Sequence, residues 1–104
     1  MPQYSGPFEP REASRIFGGC PGNYVLYDKW GRAYPGRQGV NVNRIGAHVR
    51  EHPGEYVEAY FMIDHADDPC RRASREITAV TNLLTNGVSV RNKAWPTTPD
   101  ECRW

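Results

Sequence analysis

Hydrophobic and polar positions in the first half of the chain predict a β-hairpin. The run NYVLYD, residues 23–28, combines aromatic and β-branched side chains and predicts the first strand. The turn DKWG follows, in which Gly31 can take a positive φ, and RAY at residues 32–34 predicts an antiparallel return strand. Pro35 has no N–H to donate to a strand ladder, so this second strand lies at a sheet edge or ends there.

A loop and a helix are predicted after the hairpin. Residues 36–39 contain two glycines and predict the loop. Asn41 or Asn43 can cap the helix, which ends before the sequence HPGE. Helical spacing places apolar side chains on one face, and it places Arg44 and His48, four residues apart, together on another.

A third strand and a second long helix complete the predicted elements. YVEAYFMID, residues 56–64, predicts the strand, because its second half is almost continuously apolar. Asp68 then provides an N-cap, and Pro69 suits the first helical position. Apolar residues recur at helical spacing until the helix ends near Asn86 and Gly87.

These elements predict an α+β fold, a small three-stranded antiparallel sheet flanked by helices. A chain of 104 residues is long enough for one modest core, so a single domain over residues 22–92 is expected. Residues 1–21 are predicted to be a loosely held arm with a short helix over residues 12–17. Residues 93–104 show no period and are predicted to be an irregular tail.

Composition excludes several classes of protein. The mean hydropathy is −0.73, and no apolar run approaches the roughly 20 residues that span a bilayer, so no membrane partner is expected. The polar, proline-containing start MPQYSGPFEP is not expected to act as a signal peptide. Cys20, Cys70 and Cys102 are an odd number without paired spacing, which argues against a disulfide framework and against structural zinc. A reduced, cytoplasmic setting is the resulting prediction.

Charge is more informative in its distribution than in its sum. The net charge is only +1, which is low for a nucleic-acid-binding domain. However, the segment from Lys29 to Arg50 carries six basic side chains, with His48 included, and no acidic one. An acidic partner would therefore meet this segment first.

The hairpin sequence GNYVLYDKWGRAYPG resembles the opening of the GIY-YIG nuclease domain. Residues 22–24, Gly-Asn-Tyr, stand in the place of Gly-Ile-Tyr, and residues 34–36, Tyr-Pro-Gly, stand in the place of Tyr-Ile-Gly. The two tyrosines are ten positions apart, a spacing typical of that family. The resemblance continues with Arg44 and His48 on the first predicted helix, Glu76 on the second, and Asn92 after it, so it covers residues 22–92.

The resemblance implies a metal-dependent endonuclease that hydrolyses DNA. Glu76 would hold one Mg²⁺ or Mn²⁺, because a hard cation takes carboxylate oxygen and keeps several waters. Arg44 offers a planar, permanently charged fork for a phosphate oxygen pair. Tyr34 is expected to accept a proton and Tyr24 to orient it, although these two roles can be exchanged. His48 would bridge a tyrosine or the phosphate.

Three further residues are predicted to bind substrate. Gly36 would let a phosphate approach the backbone, and Arg37 would bind that phosphate. The positive charge of Arg37 would also favour the phenolate form of Tyr34. Asn92 corresponds in the resemblance to the asparagine at the end of the family's domain, and it is the third residue predicted to bind substrate. Trp30, Trp95 and Trp104 are candidates for stacking on bases.

Two alternatives to a DNA endonuclease stay open. One is a degenerate relative that binds nucleic acid or a protein without cutting, which the Asn and Pro inside the two triplets favour. The other is an RNA-cleaving toxin domain of the same fold. The partner is thus expected to be DNA, with RNA as the second possibility.

Overall fold

Eight elements follow one another along residues 3–92 and 94–102, the part of the chain that the computed structural model describes. They are the strand β1 (Ser5–Phe8), the helix α1 (Pro10–Phe17), the strands β2 (Gly22–Asp28) and β3 (Ala33–Gln38), the helix α2 (Arg44–Glu51), the strand β4 (Tyr56–Ile63), the helix α3 (Pro69–Thr85) and a 3₁₀ turn (Asp100–Cys102). The predicted α+β class is confirmed.

The sheet has four antiparallel strands in the order β1-β4-β2-β3, so the prediction of three strands is wrong by one. The additional strand is β1, which lies in the segment predicted to be a loose arm and pairs Ser5 with Phe61 and Phe8 with Ala59. Its four residues include a glycine and a proline and show no alternation. The neighbouring strand β4 therefore provides the pairing that local sequence does not indicate.

The sheet separates two layers, because successive strand side chains point to opposite faces. Tyr24, Leu26 and Phe61 join α1 and α2 in the hydrophobic core on one face, where the rings of Phe17 and Phe61 stack at 4.4 Å between centroids. On the other face α3 packs against β2 and β3. There the side-chain amide of Asn23 donates to the backbone oxygen of Arg72 at 2.9 Å.

Strand β3 lies at the edge of the sheet, as Pro35 predicts, but it does not end there. It continues to Gln38, and Gly36 pairs with Tyr24 while Arg37 pairs with Asn23. The predicted loop over residues 36–39 is therefore wrong for its first three positions, because hydrogen bonding to β2 extends the strand past a glycine and a proline.

Helix starts follow the predicted capping residues. The side chain of Asn43 accepts a hydrogen bond from the N–H of Gly46 at 2.9 Å, so Asn43 rather than Asn41 caps α2. Asp68 caps α3 and accepts from the N–H of Cys70 at 3.0 Å, with Pro69 as the first helical residue. No helix in the described residues is long and apolar enough to cross a membrane.

The cysteines depart from the sequence prediction. Cys70 at the start of α3 and Cys102 in the 3₁₀ turn form a disulfide across 32 positions, whereas Cys20 is free. The expectation that no disulfide forms was wrong, because the pairing depends on the tail folding back onto α3. Disulfides persist mainly in oxidising compartments, so this bridge does not favour the reduced setting predicted from spacing.

Candidate functional site

Seven of the eight predicted site residues line a single cleft of about 340 Å³. They come from four elements and the segment after α3, and the cleft is closed on one side by residues 94–97, which we call the strap. The seven residues are Tyr24, Tyr34, Gly36, Arg37, Arg44, Glu76 and Asn92. The eighth, His48, borders the cleft through its contacts with the two tyrosines.

His48 lies between the two tyrosines. Its Nε2 is 3.0 Å from the hydroxyl oxygen of Tyr24, and its ring centroid is 4.3 Å from that of Tyr34. The arrangement follows from local structure, because the tyrosines come from adjacent strands and α2 places His48 one turn after Arg44. The three rings form one contiguous cluster at the wall of the cleft.

Burial sets the protonation of Tyr24 and His48 in this cluster. It raises the pKa of Tyr24 well above that of an ordinary phenol, the neighbouring Tyr34 adds to the rise, and Arg44 opposes it. Burial also lowers the pKa of His48. A protonated phenol donates and a neutral imidazole nitrogen accepts, so we assign the proton of this hydrogen bond to Tyr24 and the acceptor role to Nε2 of His48.

Arg37 and Glu76 form an ion pair in the floor of the cleft. Nη1 of Arg37 lies 3.2 Å from Oε1 of Glu76, and the carboxylate side chain is only 13 % exposed. Burial raises the pKa of Glu76, whereas Arg37 and Arg44 act to lower it. Arg37 lies on β3 rather than in a loop, and its Nη2 also donates to the backbone oxygen of Thr97 at 3.1 Å.

Gly36 makes room for Tyr24. A Cβ on Gly36 would overlap the Cζ and the hydroxyl oxygen of the Tyr24 ring, so a glycine at this position leaves room for the ring of its partner in the strand pair. The exposed backbone loop that was the reason for assigning Gly36 to phosphate binding is absent from this part of the described chain. Its participation in substrate binding stays a prediction.

The donor set can be tested against the implied metal. No group of three or more His, Cys, Asp or Glu side chains in the described residues is arranged to hold an ion. Among the described residues that line the cleft, Glu76 alone brings a carboxylate, and it lies there together with Arg44. This donor set suits Mg²⁺ or Mn²⁺, which need only one or two protein carboxylates, and does not suit a structural zinc site.

Asn23 contributes to the site in a way that sequence reasoning missed. Its side chain is fully buried, and Nδ2 donates to the backbone oxygens of Arg72 at 2.9 Å and of Gly36 at 3.3 Å. The amide therefore ties α3, which carries Glu76, to β3. A polar side chain at position 23 is thus explained by the two hydrogen bonds that Asn23 donates, but no local signal in the sequence indicates its partners.

The strap is the second feature that the sequence did not indicate. Nδ2 of Asn92 donates to the backbone oxygen of Pro35 at 2.9 Å, just before the strap, and Arg37 holds the oxygen of Thr97 at its end. The disulfide at Cys102 ties the following turn to α3. The strap carries no secondary structure, so hydropathy patterns give no signal for it.

Comparison of the chain with protein-family models, with curated proteins and with solved structures finds no match.

Proposed function

We propose that the protein is a metal-dependent endonuclease of the GIY-YIG type that hydrolyses DNA phosphodiester bonds. The observation that supports this proposal best is the convergence of Tyr34, Arg44 and Glu76 on one cleft, although they come from β3, α2 and α3. Phosphodiester hydrolysis needs a proton acceptor, a cation for the phosphate and a means of balancing charge at phosphorus. Tyr34 would accept the proton, Arg44 would hold the phosphate, and Glu76 would hold the metal ion that balances the charge.

Arg44 binds the phosphate. It is exposed at the cleft, so it keeps a free guanidinium face for substrate. A guanidinium pairs two of its N–H groups with two phosphate oxygens, and the charge that it faces grows as the attacking water adds to phosphorus. Arg44 therefore stabilises the transition state more than the bound substrate.

The tyrosine and histidine cluster handles the proton. Because its pKa is raised, the Tyr24 hydroxyl keeps its proton and is not free to accept one from water. It serves as the hydrogen-bond donor that orients His48. Tyr34 takes the proton from the attacking water. His48 contacts the Tyr34 ring at 4.3 Å between centroids and positions it, while its Nε2 stays the acceptor for the Tyr24 hydroxyl.

Glu76 would hold Mg²⁺ or Mn²⁺ through its carboxylate, with substrate phosphate and water as the other ligands. The ion, when bound, supplies Lewis-acid charge to a phosphoryl oxygen. Arg37 neutralises the same carboxylate in this structure, so it must share Glu76 or move toward the substrate phosphate. Burial raises the pKa of Glu76 because the charged carboxylate loses hydration, and a divalent cation beside it would offset that cost.

A binding module of the same fold is the second candidate, and the Arg37–Glu76 ion pair favours it. One carboxylate oxygen already faces a guanidinium at 3.2 Å, an arrangement that is complete without a metal. In that case Arg44 and the strap would hold nucleic acid, and no bond would be broken.

The test is cleavage of supercoiled plasmid and of single-stranded DNA by the purified protein with Mg²⁺, with Mn²⁺ or with EDTA, beside an RNA substrate. Glu76→Gln keeps the shape of the side chain and removes its charge, so we expect it to abolish cutting and to leave folding and DNA binding in place. Glu58→Gln is the matched control, since Glu58 is an exposed carboxylate on β4 that does not line the cleft.

Each outcome separates the candidates. Cutting by Glu76→Gln at the wild-type rate would remove the metal assignment. DNA binding without metal-dependent cleavage of either nucleic acid would favour the binding module. Cleavage of RNA alone would favour the RNA-cleaving domain.

A further inference from the structure

Trp95 is a large apolar side chain left open to solvent at the cleft. It is 56 % exposed and lines the same cleft as Tyr34, Arg37 and Arg44. An indole that is more than half exposed contributes little hydrophobic stabilisation, so packing alone does not account for its place in the strap. It stands instead beside the cations that would hold a phosphate.

The backbone on both sides of Trp95 is tied to the edge strand. Asn92 donates to the oxygen of Pro35 at 2.9 Å, and the oxygen of Thr97 accepts from Arg37 at 3.1 Å. Both ties end on β3 residues, which also flank Tyr34 and Gly36. These two hydrogen bonds hold the segment that carries Trp95 in a fixed position relative to Tyr34, the proposed proton acceptor.

We infer that Trp95 is a stacking platform for an unpaired nucleobase next to the phosphate that Arg44 binds. The inference rests on the proposed function for the position of that phosphate, and it defines the substrate class as nucleic acid that is single-stranded at the cleft. Bases in a duplex have both faces covered by neighbours, whereas an unstacked base offers a face to an aromatic ring.

The charge of the cleft supports this occupant. Arg37 is paired with Glu76, the one acidic side chain among the residues that line the cleft, so the guanidinium of Arg44 leaves the cleft with one net positive charge. A groove with positive charge and an exposed aromatic ring has the two features with which proteins bind single strands. Single-stranded DNA and RNA share this chemistry, so both belong in the test.

Trp30 provides a matched comparison within the same chain. It is 58 % exposed, but it lies in the turn between β2 and β3 and does not line the cleft. The Nζ of Lys29 and the Cζ of Arg32 lie 4.9 and 5.0 Å from its ring centroid, so two cations of the protein already pack on it. Trp104 lies outside the described residues.

The experiment measures binding in EDTA, so that it does not depend on cleavage. The double variant Trp30→Phe/Trp104→Phe leaves Trp95 as the only indole, and its fluorescence is followed during titration with oligothymidylate, oligouridylate and a duplex of equal length. We expect quenching by the single strands and much less by the duplex. The affinity for single strands should fall about 5- to 150-fold in Trp95→Ala, the equivalent of losing one stacked base.

Trp95→Phe, which keeps an aromatic face, should recover most of the affinity, and Trp30→Ala should bind as the wild type does. Unchanged Trp95 fluorescence, equal affinity of Trp95→Ala and wild type, or equal affinity for duplex and single strand would each overturn the inference. Single-strand binding that depends on Trp95 in a protein that never cuts would support the stacking site while rejecting the nuclease. Plasmid cutting by the wild type, together with an unchanged single-strand affinity in Trp95→Ala, would support the nuclease and reject the stacking site.

Discussion

Replacing Gly36 with alanine tests how the two strands of the hairpin share space at the site. The added Cβ would lie inside the van der Waals radius of the Tyr24 ring atoms Cζ and Oη. That ring is 2 % exposed, and its hydroxyl is hydrogen-bonded to His48 at 3.0 Å. Tyr24 is therefore closely surrounded although it borders the cleft, and a shift of its ring large enough to relieve the overlap would break the hydrogen bond.

The magnitude follows from two contributions. Adding a carbon to a well-packed core costs about 1–3 kcal/mol, and losing the Tyr24–His48 hydrogen bond adds about 0.5–1.5 kcal/mol. We expect the free energy of unfolding to fall by about 1.5–4.5 kcal/mol. For a domain of this size, that loss lowers the Tm by at least about 6 °C. A typical domain stability of about 5–15 kcal/mol means that the variant still folds at low temperature.

The assay is urea unfolding of the wild type and of two alanine variants, Gly36→Ala and Gly39→Ala. Gly39 is the matched control, because the nearest neighbour of its added Cβ is Nη2 of Arg72 at an ordinary 3.7 Å. We expect the free energy of unfolding of Gly39→Ala to stay within about 0.5 kcal/mol of the wild type. DNA affinity in EDTA is measured on the same samples at a temperature where all of them are folded.

Equal stability of the two variants, with weaker DNA binding by Gly36→Ala alone, would refute this reasoning. That result would mean that the glycine serves the approach of a phosphate, as its sequence context predicts, and that the Tyr24 ring adapts freely. A loss of stability with affinity retained would assign the glycine to packing.

Three further predictions concern the chemistry of single side chains. Tyr34→Phe should lower the cleavage rate by about 10²- to 10⁴-fold with little change in Tm or DNA affinity; full activity would move the base to Tyr24 or His48. Arg44→Lys should lose about 1–3 kcal/mol of transition-state stabilisation in single-turnover kinetics, and near-normal rates would remove Arg44 from the site. Burial acts to raise the pKa of Asp28, but hydrogen bonds from Arg32 and the N–H of Trp30 outweigh it and hold that pKa below the usual value. This stabilisation is present above the unfolded pKa of about 3.9 and is lost as the pH falls through the lower folded pKa, so acid should weaken the wild type more steeply than Asp28→Asn in urea unfolding.

Local signals predicted most of the secondary structure. β2 and β4 follow from their apolar and aromatic composition, and the starts of α2 and α3 follow from the caps Asn43 and Asp68. β1 and the second half of β3 escape such reasoning, since their residues become strands only when a neighbouring strand offers hydrogen bonds. Pairing is a tertiary effect, and glycine or proline in a sequence argues against a strand locally.

The candidate site divides in the same way. The order of motifs predicted which side chains meet, and they do line one cleft. The ion pair of Arg37 with Glu76, the ring of Tyr24 against Gly36 and the strap depend on contacts between segments far apart in the chain. No spacing rule contains that information, so the sequence predicted which side chains lie at the cleft better than it predicted which partners they contact there.

The disulfide closes the segment from Cys70 to Cys102, about the last third of the chain, into a covalent ring. The covalent circuit runs from Cys70 through α3, past Glu76 and the strap, to Cys102 and back through the sulfur bridge. On chain-entropy grounds, closing a loop of 32 residues disfavours the unfolded state by roughly 4 kcal/mol. The exposed turn at Asn86 and Gly87 lies inside this ring. A protease that cuts there opens the circuit but releases no fragment, so both walls of the cleft stay on one molecule until a reductant also acts.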